Sequence, residues 1–296
     1  MPSPPEGISV VIPAKNEAPS LAGVVTNLLR ILPGAEVLVV DDGSSDGTAE
    51  VAQQAGARVI RHPVSRGNGA AVKSGARAAS GKVIVFMDGD GQHDPASIPA
   101  LLARLESGYD MVVGARASHM HAGWPRRLAN RIYNVLASWI TGVKIADLTS
   151  GFRAARADVF RQFIPLLPNG FSYPTTSTIA FLRGGYNVAF ELVAVQTRTK
   201  ETRSHIRPLR DGARFLVIIF KVATLYSPLK IYLPFSVLFF LGGLGYYAYT
   251  FLTTGRFTNL GALLFTSSVL IFLIGLLSEQ ITTLFYLNSS PTRRDS

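Results

Sequence analysis

The chain has 296 residues, of which 48% are hydrophobic and 16% are charged, and its formal net charge is +10. This length suffices for one large domain or two modest ones with a substantial buried core. Because the sequence has no cysteine, disulfide bonds and thiolate metal sites within this chain are excluded.

The N-terminal segment MPSPPEGISVVIPAKNE does not have the pattern of a secretory signal peptide. It has no basic region followed by an apolar stretch, and it has no small-residue cleavage site. We therefore expect the N-terminal part of the chain to stay in the cytosol.

Short runs rich in Val and Ile alternate with segments of helical length between Ile8 and Arg116. The strand-like runs are ISVVIP, EVLVVDD, RVIRH, KVIVFMD and DMVVGAR, and the helix-like segments include NEAPSLAGVVTNLLRIL, SDGTAEVAQQAG and GNGAAVKSGARAAS. From about Trp124 to Phe181 the pattern is more helical, and a late strand-like run, YNVAFELVAVQTRT, follows. This alternation predicts an α/β fold with a mainly parallel sheet and helices on both faces.

Polar residues follow the strand-like runs at the point where each run ends. PAKNE follows the first run, DDGSSDGT the second, the basic turn RGNG the third and DGDGQHDP the fourth. Because ligands of such sheets collect at the carboxyl ends of the strands, we expect a site along this edge. Local structure is an alternative explanation, with Asn16 as a helix N-cap, Glu17 in the first turn, and Asp46 at the start of a further helix.

Two aspartates in DGDGQHDP suit a divalent metal ion. Asp88 and Asp90 flank one glycine at a strand end, so both carboxylates can reach one point beyond the sheet. Mg²⁺ or Mn²⁺ is usually held by one or two carboxylates, with phosphate oxygens and water completing the shell. Capping or turn formation is the alternative for this pair, and we assign Asp94, which precedes a proline, to capping the next helix.

Asp41 and Asp42 end the second strand-like run. An acid at this edge can accept hydrogen bonds from the edge of a nucleobase or from ribose hydroxyls. Asp, Gly and Ser are also ordinary turn formers, so DDGS alone does not decide between the two interpretations.

The C-terminal third contains two long uncharged segments. No charged residue lies between Lys230 and Arg256 or between Arg256 and Glu279, and each segment exceeds the roughly 20 apolar residues that cross a hydrocarbon core. Two buried helices of a soluble protein are the alternative, but such helices normally show a polar face. We predict two transmembrane helices.

Basic residues are concentrated before the first apolar segment, in RPLRDGARFLVIIFKVATLYSPLK, and recur after the second. This distribution predicts amphipathic interfacial helices over 206–230 and places both termini in the cytoplasm. Anionic lipid headgroups are a simpler partner for these cations than nucleic acid, because the cations lie beside the apolar segments. The predicted domains are a cytoplasmic catalytic domain (1–205), the juxtamembrane helices (206–230), a two-helix transmembrane region (231–288) and a cytoplasmic tail (289–296).

The order VIPAKNE, VLVVDDGSSDGT, RGNGAA, FMDGDGQHDP and VVGAR resembles the inverting nucleotide-sugar glycosyltransferases of family 2, which have the glycosyltransferase A fold. DLTSGFR, the basic segment and the two apolar segments are similar to the dolichyl-phosphate mannose synthase branch, the polyprenyl-phosphate glycosyltransferases. The resemblance implies a nucleotide-sugar donor, a dolichyl or undecaprenyl phosphate acceptor, membrane lipids as surroundings and Mg²⁺ or Mn²⁺ as cofactor. One in-line displacement would invert the anomeric centre and give a β-linked product.

The resemblance also implies roles for individual residues. The nucleotide-sugar site would comprise Pro13, Asn16, Glu17, Asp41, Asp42, Asp88, Gln92, Arg198 and Arg203. The metal site would comprise Asp88, Asp90 and Gln92. The acceptor phosphate would be bound by Arg116, Arg126, Asn130 and Ser204. Asn130 stands where the family often has serine, and RTKETRSHIR lacks the glycine of the family's last basic motif.

Several alternatives stay open at this point. Asp147 either positions the acceptor or sugar, or pairs with an arginine such as Arg153. GDP-mannose, UDP-glucose and UDP-N-acetylhexosamine or aminosugar donors are all compatible with the motifs. A processive polysaccharide synthase and a non-enzymatic membrane scaffold are the rival functions, and GGLG at Gly242 to Gly245 would allow close packing in a homo-oligomer.

Overall fold

The computed structural model describes residues 7–116, 131, 134–135, 137–139, 141–170, 172–193, 224 and 227–287, with the backbone alone for 285–287. The chain divides into two compact units, Met1–His205 and Ile206–Ser296. The tail 289–296 lies outside the described residues, as does the predicted amphipathic segment 206–230 apart from residues 224 and 227–230.

The first unit alternates strands and helices, as the sequence predicts. Its strands are β1 (Ile8–Ala14), β2 (Glu36–Asp41), β3 (Arg58–Arg61), β4 (Val83–Phe86), β5 (Met111–Arg116), β6 (Arg153–Arg156) and β7 (Val188–Val193). Its helices are α1 (Ala18–Ile31), α2 (Thr48–Gln54), α3 (Asn68–Ala78), α4 (Ile98–Glu106), α5 (Ala157–Gln162) and α6 (Tyr173–Arg183).

The seven strands form one sheet in the order β3-β2-β1-β4-β6-β5-β7. All neighbours are parallel except β6, which runs antiparallel to both β4 and β5. The prediction of a mainly parallel α/β sheet is therefore confirmed. The regular structure described between 131 and 181 is mainly helical, as expected, and β6 is the strand that the pattern did not indicate there. β6 is the four-residue segment RAAR, which has low strand propensity, and it forms a strand because β4 and β5 bond it on both sides.

The register of the central strands sets the edge at which the site forms. β1 is buried along its whole length, and Ala14 at its end pairs with Asp41 at the end of β2. On the other side of β1, Val11 pairs with Phe86, the last residue of β4. The segments that follow these three strands therefore leave the sheet side by side.

Helix α3 packs closely on this sheet because it contains a glycine. A Cβ atom at Gly75 would lie 2.3 Å from Cγ1 of Val11 and 3.2 Å from Cγ2 of Val40. Close-packed interiors leave no room for such a methyl group.

The second unit contains two long helices, α7 (Pro228–Thr254) and α8 (Asn259–Leu287), and the chain turns between them at Gly255, which has a φ of 64°. Both helices are long and apolar enough to cross a membrane. Only 11% of the most apolar stretch of α7 and 17% of that of α8 are buried. The helix of a soluble core would be mostly buried, so this exposure favours lipid as the surrounding medium.

Polar and small residues join the two helices. The Ser236 hydroxyl donates to the Ser268 carbonyl at 2.9 Å, and the Ser268 hydroxyl donates to the Ser236 carbonyl at 2.9 Å. A Cβ atom at Gly275 would lie 2.7 Å from Cβ of Tyr232. Such serine and glycine contacts are typical of helix pairs in membranes. In contrast, Gly242 and Gly245 have nothing within 4 Å of a built Cβ atom among the described residues.

Candidate active site

A cavity of about 560 Å³ lies at the carboxyl ends of β1, β2 and β4. Its walls come from the segments after these strands, from the start of α3 and from the start of α6. The lining residues are Pro13, Ala14, Lys15, Glu17, Asp42, Ser65, Gly67, Asn68, Ala71, Asp88, Gly89, Asp90, Thr149, Gly151, Gly170, Tyr173 and Pro174. The cavity thus brings together five of the predicted site residues, Pro13, Glu17, Asp42, Asp88 and Asp90.

Asn16 joins the segment after β1 to the segment after β2. It has a φ of 57°, its amide donates to the Ser44 hydroxyl at 2.9 Å, and its Oδ1 accepts from the Ser45 amide at 2.9 Å. The alternative that Asn16 is the N-cap of α1 is wrong, because Glu17 occupies that position and makes no side-chain cap. Asn16 does not itself line the cavity, and it connects the two segments beside it.

Asp42 is buried and its carboxylate is fully engaged by protein donors. Oδ1 accepts from His62 Nδ1 at 2.8 Å and from the Arg66 amide at 2.9 Å. Oδ2 accepts from the Ser65 hydroxyl at 2.7 Å and from the Gly67 amide at 2.8 Å. Burial alone would raise the pKa of Asp42, but these hydrogen bonds outweigh it and lower the pKa to about 2. Asp42 therefore holds the 65–67 wall of the cavity in place.

Asp41 points away from the cavity. Its Oδ1 accepts from the Ser44 amide at 2.9 Å, and its Oδ2 lies 3.2 Å from Arg61 Nε, an ion-pair distance without hydrogen-bond geometry. Asp41 is fully buried, and it is not among the lining residues of the cavity. Its predicted contact with a nucleotide stays a prediction.

Asp88 and Asp90 lie in the cavity wall after β4. Burial raises the pKa of Asp88, and the neighbouring Asp90 adds to this rise while His93 and Arg116 oppose it. His93 is 7% exposed and stacks on Phe152, and its Nδ1, which lies 3.9 Å from Asp88 Oδ2, has no hydrogen-bond partner among the described residues. The two acids and this nitrogen form a polar cluster beside the cavity.

These groups fit a divalent ion. Two adjacent carboxylates are the usual protein contribution to a Mg²⁺ or Mn²⁺ site whose remaining ligands are phosphate oxygens and water. Within the described part of the chain, no group of three His, Cys, Asp or Glu residues converges as a complete protein cage. Gln92 donates its backbone amide to Asp90 Oδ1 at 3.1 Å and does not line the cavity, so its predicted metal contact stays a prediction. The ion would therefore be held by Asp88 and Asp90 together with a substrate.

Asp94 caps the short helical turn that follows the acid pair, as predicted. Its Oδ1 accepts from the Ala96 amide at 2.9 Å. The three acids of DGDGQHDP thus divide between the cavity and a helix start.

Arg116 and Asp147 form a bidentate ion pair behind the cavity wall. Arg116 Nε donates to Asp147 Oδ2 at 2.8 Å and Nη2 donates to Oδ1 at 3.1 Å, while Nη2 also donates to the Thr149 hydroxyl at 2.6 Å. Burial would raise the pKa of Asp147, but Arg116 outweighs burial and lowers it. Asp147 therefore pairs with an arginine, and the partner is Arg116 and not Arg153. A role of Asp147 in positioning the acceptor or sugar stays a prediction.

Arg153 is fully buried and is held by oxygen atoms that are not charged. Its Nη1 donates to the Pro174 carbonyl at 2.9 Å and to the Ser177 hydroxyl at 2.6 Å, and its Nη2 donates to the Ser150 carbonyl. Its guanidinium lies 5.6 Å from the ring centroid of Tyr173. Because Ser150 precedes a lining residue and Pro174 is one, Arg153 fixes two walls of the cavity to each other.

The start of α6 reaches the cavity through close backbone contacts. The Gly69 amide donates to the Gly170 carbonyl at 3.1 Å, and a Cβ atom at Gly67 would lie 2.4 Å from the Asn169 carbonyl oxygen. Tyr173 donates to the Gly151 carbonyl at 3.1 Å, and burial raises the pKa of its hydroxyl. The motifs RGNG and DLTSGFR indicated that residues 66–69 and 147–153 belong to the site. No motif near Tyr173 indicated that α6 would complete it.

Five of the predicted residues lie outside the described part of the chain. They are Arg126, Asn130, Arg198, Arg203 and Ser204. Their roles toward the acceptor phosphate and the nucleotide stay predictions.

Two family models match the chain. The model of glycosyl transferase family 2 matches residues 9–164, and the model of the GtrB C-terminal hairpin matches residues 227–284. The first match covers β1 to β6 and the cavity acids, and the second covers α7 and most of α8.

Two curated proteins illustrate the relatives. Glycosyltransferase AglJ of Haloferax volcanii is 30% identical over 246 residues, which cover 82% of this chain and 77% of that protein. The undecaprenyl-phosphate 4-deoxy-4-formamido-L-arabinose transferase of Pseudomonas savastanoi pv. phaseolicola is 34% identical over 201 residues, which cover 60% of this chain and 58% of that protein. The match therefore spans less than two thirds of the second relative.

Solved structures of glucosyl-3-phosphoglycerate synthase from Mycobacterium tuberculosis share the fold. The complex with Mn²⁺ and UDP-glucose has a TM-score of 0.59 at 26% identity and covers 74% of this chain and 78% of that chain. The complex with Mg²⁺ and UDP has a TM-score of 0.59 at 26% identity, with 74% and 79% covered.

Proposed function

The chain belongs to glycosyl transferase family 2, and we propose that it transfers a sugar from a nucleotide-sugar donor to a polyprenyl phosphate in a membrane. One observation carries this proposal: a single chain combines the acid-lined cavity with the apolar hairpin of α7 and α8. A lipid-linked acceptor explains why an enzyme with an acid-lined cavity would carry such a hairpin. The relatives named for undecaprenyl-phosphate substrates support the same acceptor class.

The donor end of the cavity would lie along the segments after β1 and β2. Lys15 Nζ donates to the Ser65 hydroxyl at 2.9 Å, and this pair stands beside Asp42 in the lining. The diphosphate end would lie at Asp88 and Asp90, which would hold a divalent ion; when bound, this ion would stabilise the charge of the departing nucleoside diphosphate. The structures of the related synthase with Mn²⁺ or Mg²⁺ and UDP support divalent ion use by this fold.

The acceptor phosphate is already an anion, so it needs no strong general base to attack the anomeric carbon. The protein must instead hold two anionic substrates together in line, which is work for cations and for orientation. Arg116 is suited to this role because Asp147 and Thr149 fix its guanidinium while 29% of its side chain stays exposed. A single displacement with this geometry would invert the anomeric centre and give a β-linked product.

The first experiment measures transfer of radiolabelled sugar from a panel of GDP and UDP sugars to a short-chain polyprenyl phosphate, with Mn²⁺ or Mg²⁺ added. We expect one lipid-linked product and loss of transfer in Asp90→Ala. Asp94→Ala is the matched control, because Asp94 is an acid of the same segment that caps a helix outside the cavity. Absence of any lipid-linked product with every donor would contradict the transferase proposal, and a sugar polymer as product would favour a processive synthase.

A second experiment separates the acceptor from the donor. Asp147→Asn removes the charge that holds Arg116, so we expect a higher KM for polyprenyl phosphate with unchanged nucleotide affinity. Arg126→Ala should behave in the same way if it contacts the acceptor phosphate as the family resemblance implies. Equal losses in acceptor and donor titrations would place these residues elsewhere.

We also propose that the domain over 1–205 is cytoplasmic and that both termini face the cytoplasm. Because the chain has no cysteine, single cysteines can report topology without a background. In intact cells, a membrane-impermeant thiol reagent should label Arg256→Cys, in the turn between α7 and α8, and should spare Ser3→Cys. Labelling of Ser3→Cys in intact cells would reverse the proposed orientation.

A further inference from the structure

A short helix in the first unit presents an apolar face to solvent. The described residues 131, 134–135, 137–139 and 141 are all helical, and we refer to this segment as the Trp139 helix. Arg131, Val135 and Trp139 are spaced by four residues and so share one face. Val135 is 61% exposed and Trp139 is 50% exposed, and Val143, just beyond the helix, is 42% exposed.

A neighbouring face of the Trp139 helix, which carries Asn134, is hydrogen-bonded to the segment that contains Asp147. Asn134 Nδ2 donates to the Ala146 carbonyl at 2.8 Å, and Asn134 Oδ1 accepts from the Leu148 amide at 3.1 Å. These two bonds bracket Asp147 on both sides. Asp147 in turn binds Arg116. A shift of the helix would therefore also shift the Arg116 guanidinium.

The chemistry of the exposed face favours a lipid surface. Two exposed cations, Arg131 and Lys144, stand at its two ends, and anionic headgroups complement such charges. Trp139 supplies an amphipathic ring of the kind that settles at the boundary between headgroups and acyl chains. The same chain carries a hairpin long and apolar enough to anchor it in a bilayer, so the first unit would be attached to a membrane.

A protein partner fits this face less well. Three apolar side chains cover much less than the roughly 800 Å² that each partner buries in a stable interface. The flanking cations would also be poorly placed in a second copy of the chain, because a symmetric contact would bring cations of like charge together.

We propose that the Trp139 helix is a lipid-contacting surface of the catalytic unit, which inserts Val135, Trp139 and Val143 at the level of anionic headgroups. Through Asn134 this contact would help to position Asp147 and Arg116 toward a lipid phosphate. The second step rests on the proposed acceptor, whereas the lipid contact itself does not.

The test uses the full chain in vesicles made of equal parts of phosphatidylcholine and phosphatidylglycerol. The sequence contains two tryptophans, so Trp124→Phe leaves Trp139 as the sole indole. We expect lipids brominated along the acyl chain to remove about half of its emission, since an interfacial face lies about 5–10 Å into the boundary. Aqueous iodide should quench it weakly.

Efficient iodide quenching with no effect of brominated lipid would overturn the proposal. Emission that depends on the protein-to-lipid ratio and not on bromination would also overturn it and would indicate contact between copies of the chain. The measurement needs no substrate, so its failure and the failure of the transferase proposal are distinguishable.

A kinetic arm tests the consequence for the acceptor. Val135→Ser should raise KM for a long-chain acceptor in vesicles several-fold and leave kcat and the use of a water-soluble short-chain acceptor unchanged. Val64→Ser is the matched control, because Val64 is a valine with 65% exposure elsewhere on the same unit. Equal effects of the two substitutions, or an equal effect on both acceptors, would contradict the coupling of this face to the acceptor site.

Discussion

Replacing Asp42 with asparagine tests whether this carboxylate acts on the nucleotide directly or through the protein. Asp42 lines the cavity, yet its two oxygens already accept four hydrogen bonds from residues of the same unit. Asparagine has nearly the same shape but presents one oxygen and one amino group. The substitution therefore changes the hydrogen bonding without opening a void.

The cost of Asp42→Asn follows from the two backbone donors. The Arg66 amide faces one oxygen and the Gly67 amide faces the other, so either orientation of the asparagine amide leaves one N–H group against an NH₂ group. A buried donor left without an acceptor costs about 1–3 kcal/mol, and the loss of charge weakens the remaining bonds further. We expect the free energy of unfolding to fall by roughly 3 kcal/mol.

The assay is denaturant unfolding of the full chain in detergent, followed by calorimetric titration with nucleotide. Asp94→Asn is the matched control, because asparagine caps a helix nearly as well as aspartate, so its unfolding should change by less than about 0.5 kcal/mol. Asp42→Asn should unfold at lower denaturant concentration and should bind nucleotide more weakly, since the 65–67 wall loosens.

The pH dependence gives a second readout. The pKa of Asp42 is lowered from 3.8 to about 2, so its stabilising effect is fully present above the ordinary value and is lost as the pH falls toward 2. The difference in stability between wild type and Asp42→Asn should therefore shrink within this window. A variant that unfolds like the wild type at every pH, yet does not bind nucleotide, would show that the carboxylate contacts the nucleotide directly and would refute the reasoning.

Two further predictions concern packing. In denaturant unfolding, Gly75→Ala should destabilise the first unit by about 1–3 kcal/mol, because its methyl group would lie 2.3 Å from Val11 Cγ1. Gly23→Ala is the control and should be neutral or stabilising, because a Cβ atom at this position of α1 meets nothing within 4 Å. Ser236→Ala should weaken the α7 and α8 pair by roughly 0.6–1.7 kcal/mol in an SDS titration, since it removes the hydroxyl that donates to the Ser268 carbonyl; an unchanged midpoint would contradict this contact.

The strands that the sequence predicts are those whose own residues favour a buried strand. β1 and β4 are runs of Val, Ile and Phe that are bounded by turn residues, so local pattern and tertiary environment agree. β6 has two alanines between two arginines, and its strand conformation depends on the free edges of β4 and β5 that meet it. A pattern in one segment carries no information about such edges, so the antiparallel insertion was not predictable.

The site residues also fall into a group that the sequence predicts and a group that it does not. Strand ends bring Asp42, Asp88 and Asp90 to one edge, because the topology of a parallel sheet requires it. The opposite wall, with Tyr173 and Pro174, arrives from a distant segment through backbone contacts at glycines, and no spacing in the sequence encodes that approach. The choice of Arg116 over Arg153 as partner of Asp147 likewise depends on where β5 ends in the sheet.

Four of the acids at or near the cavity, Asp42, Asp88, Asp90 and Asp147, show which carboxylates remain for a metal ion. Asp42 and Asp147 accept hydrogen bonds from backbone amides and from side chains, and these donors hold each pKa below its ordinary value. Asp88 accepts no hydrogen bond from the described residues, its only ion-pair distance there is 3.9 Å to His93 Nδ1, and its pKa is raised. An acid whose charged form the protein stabilises little gains most from a cation, so we propose that a divalent ion would be held at Asp88, whose side chain stays 38% exposed, and at its neighbour Asp90. Asp42 and Asp147 would then maintain the walls and the arginine around it.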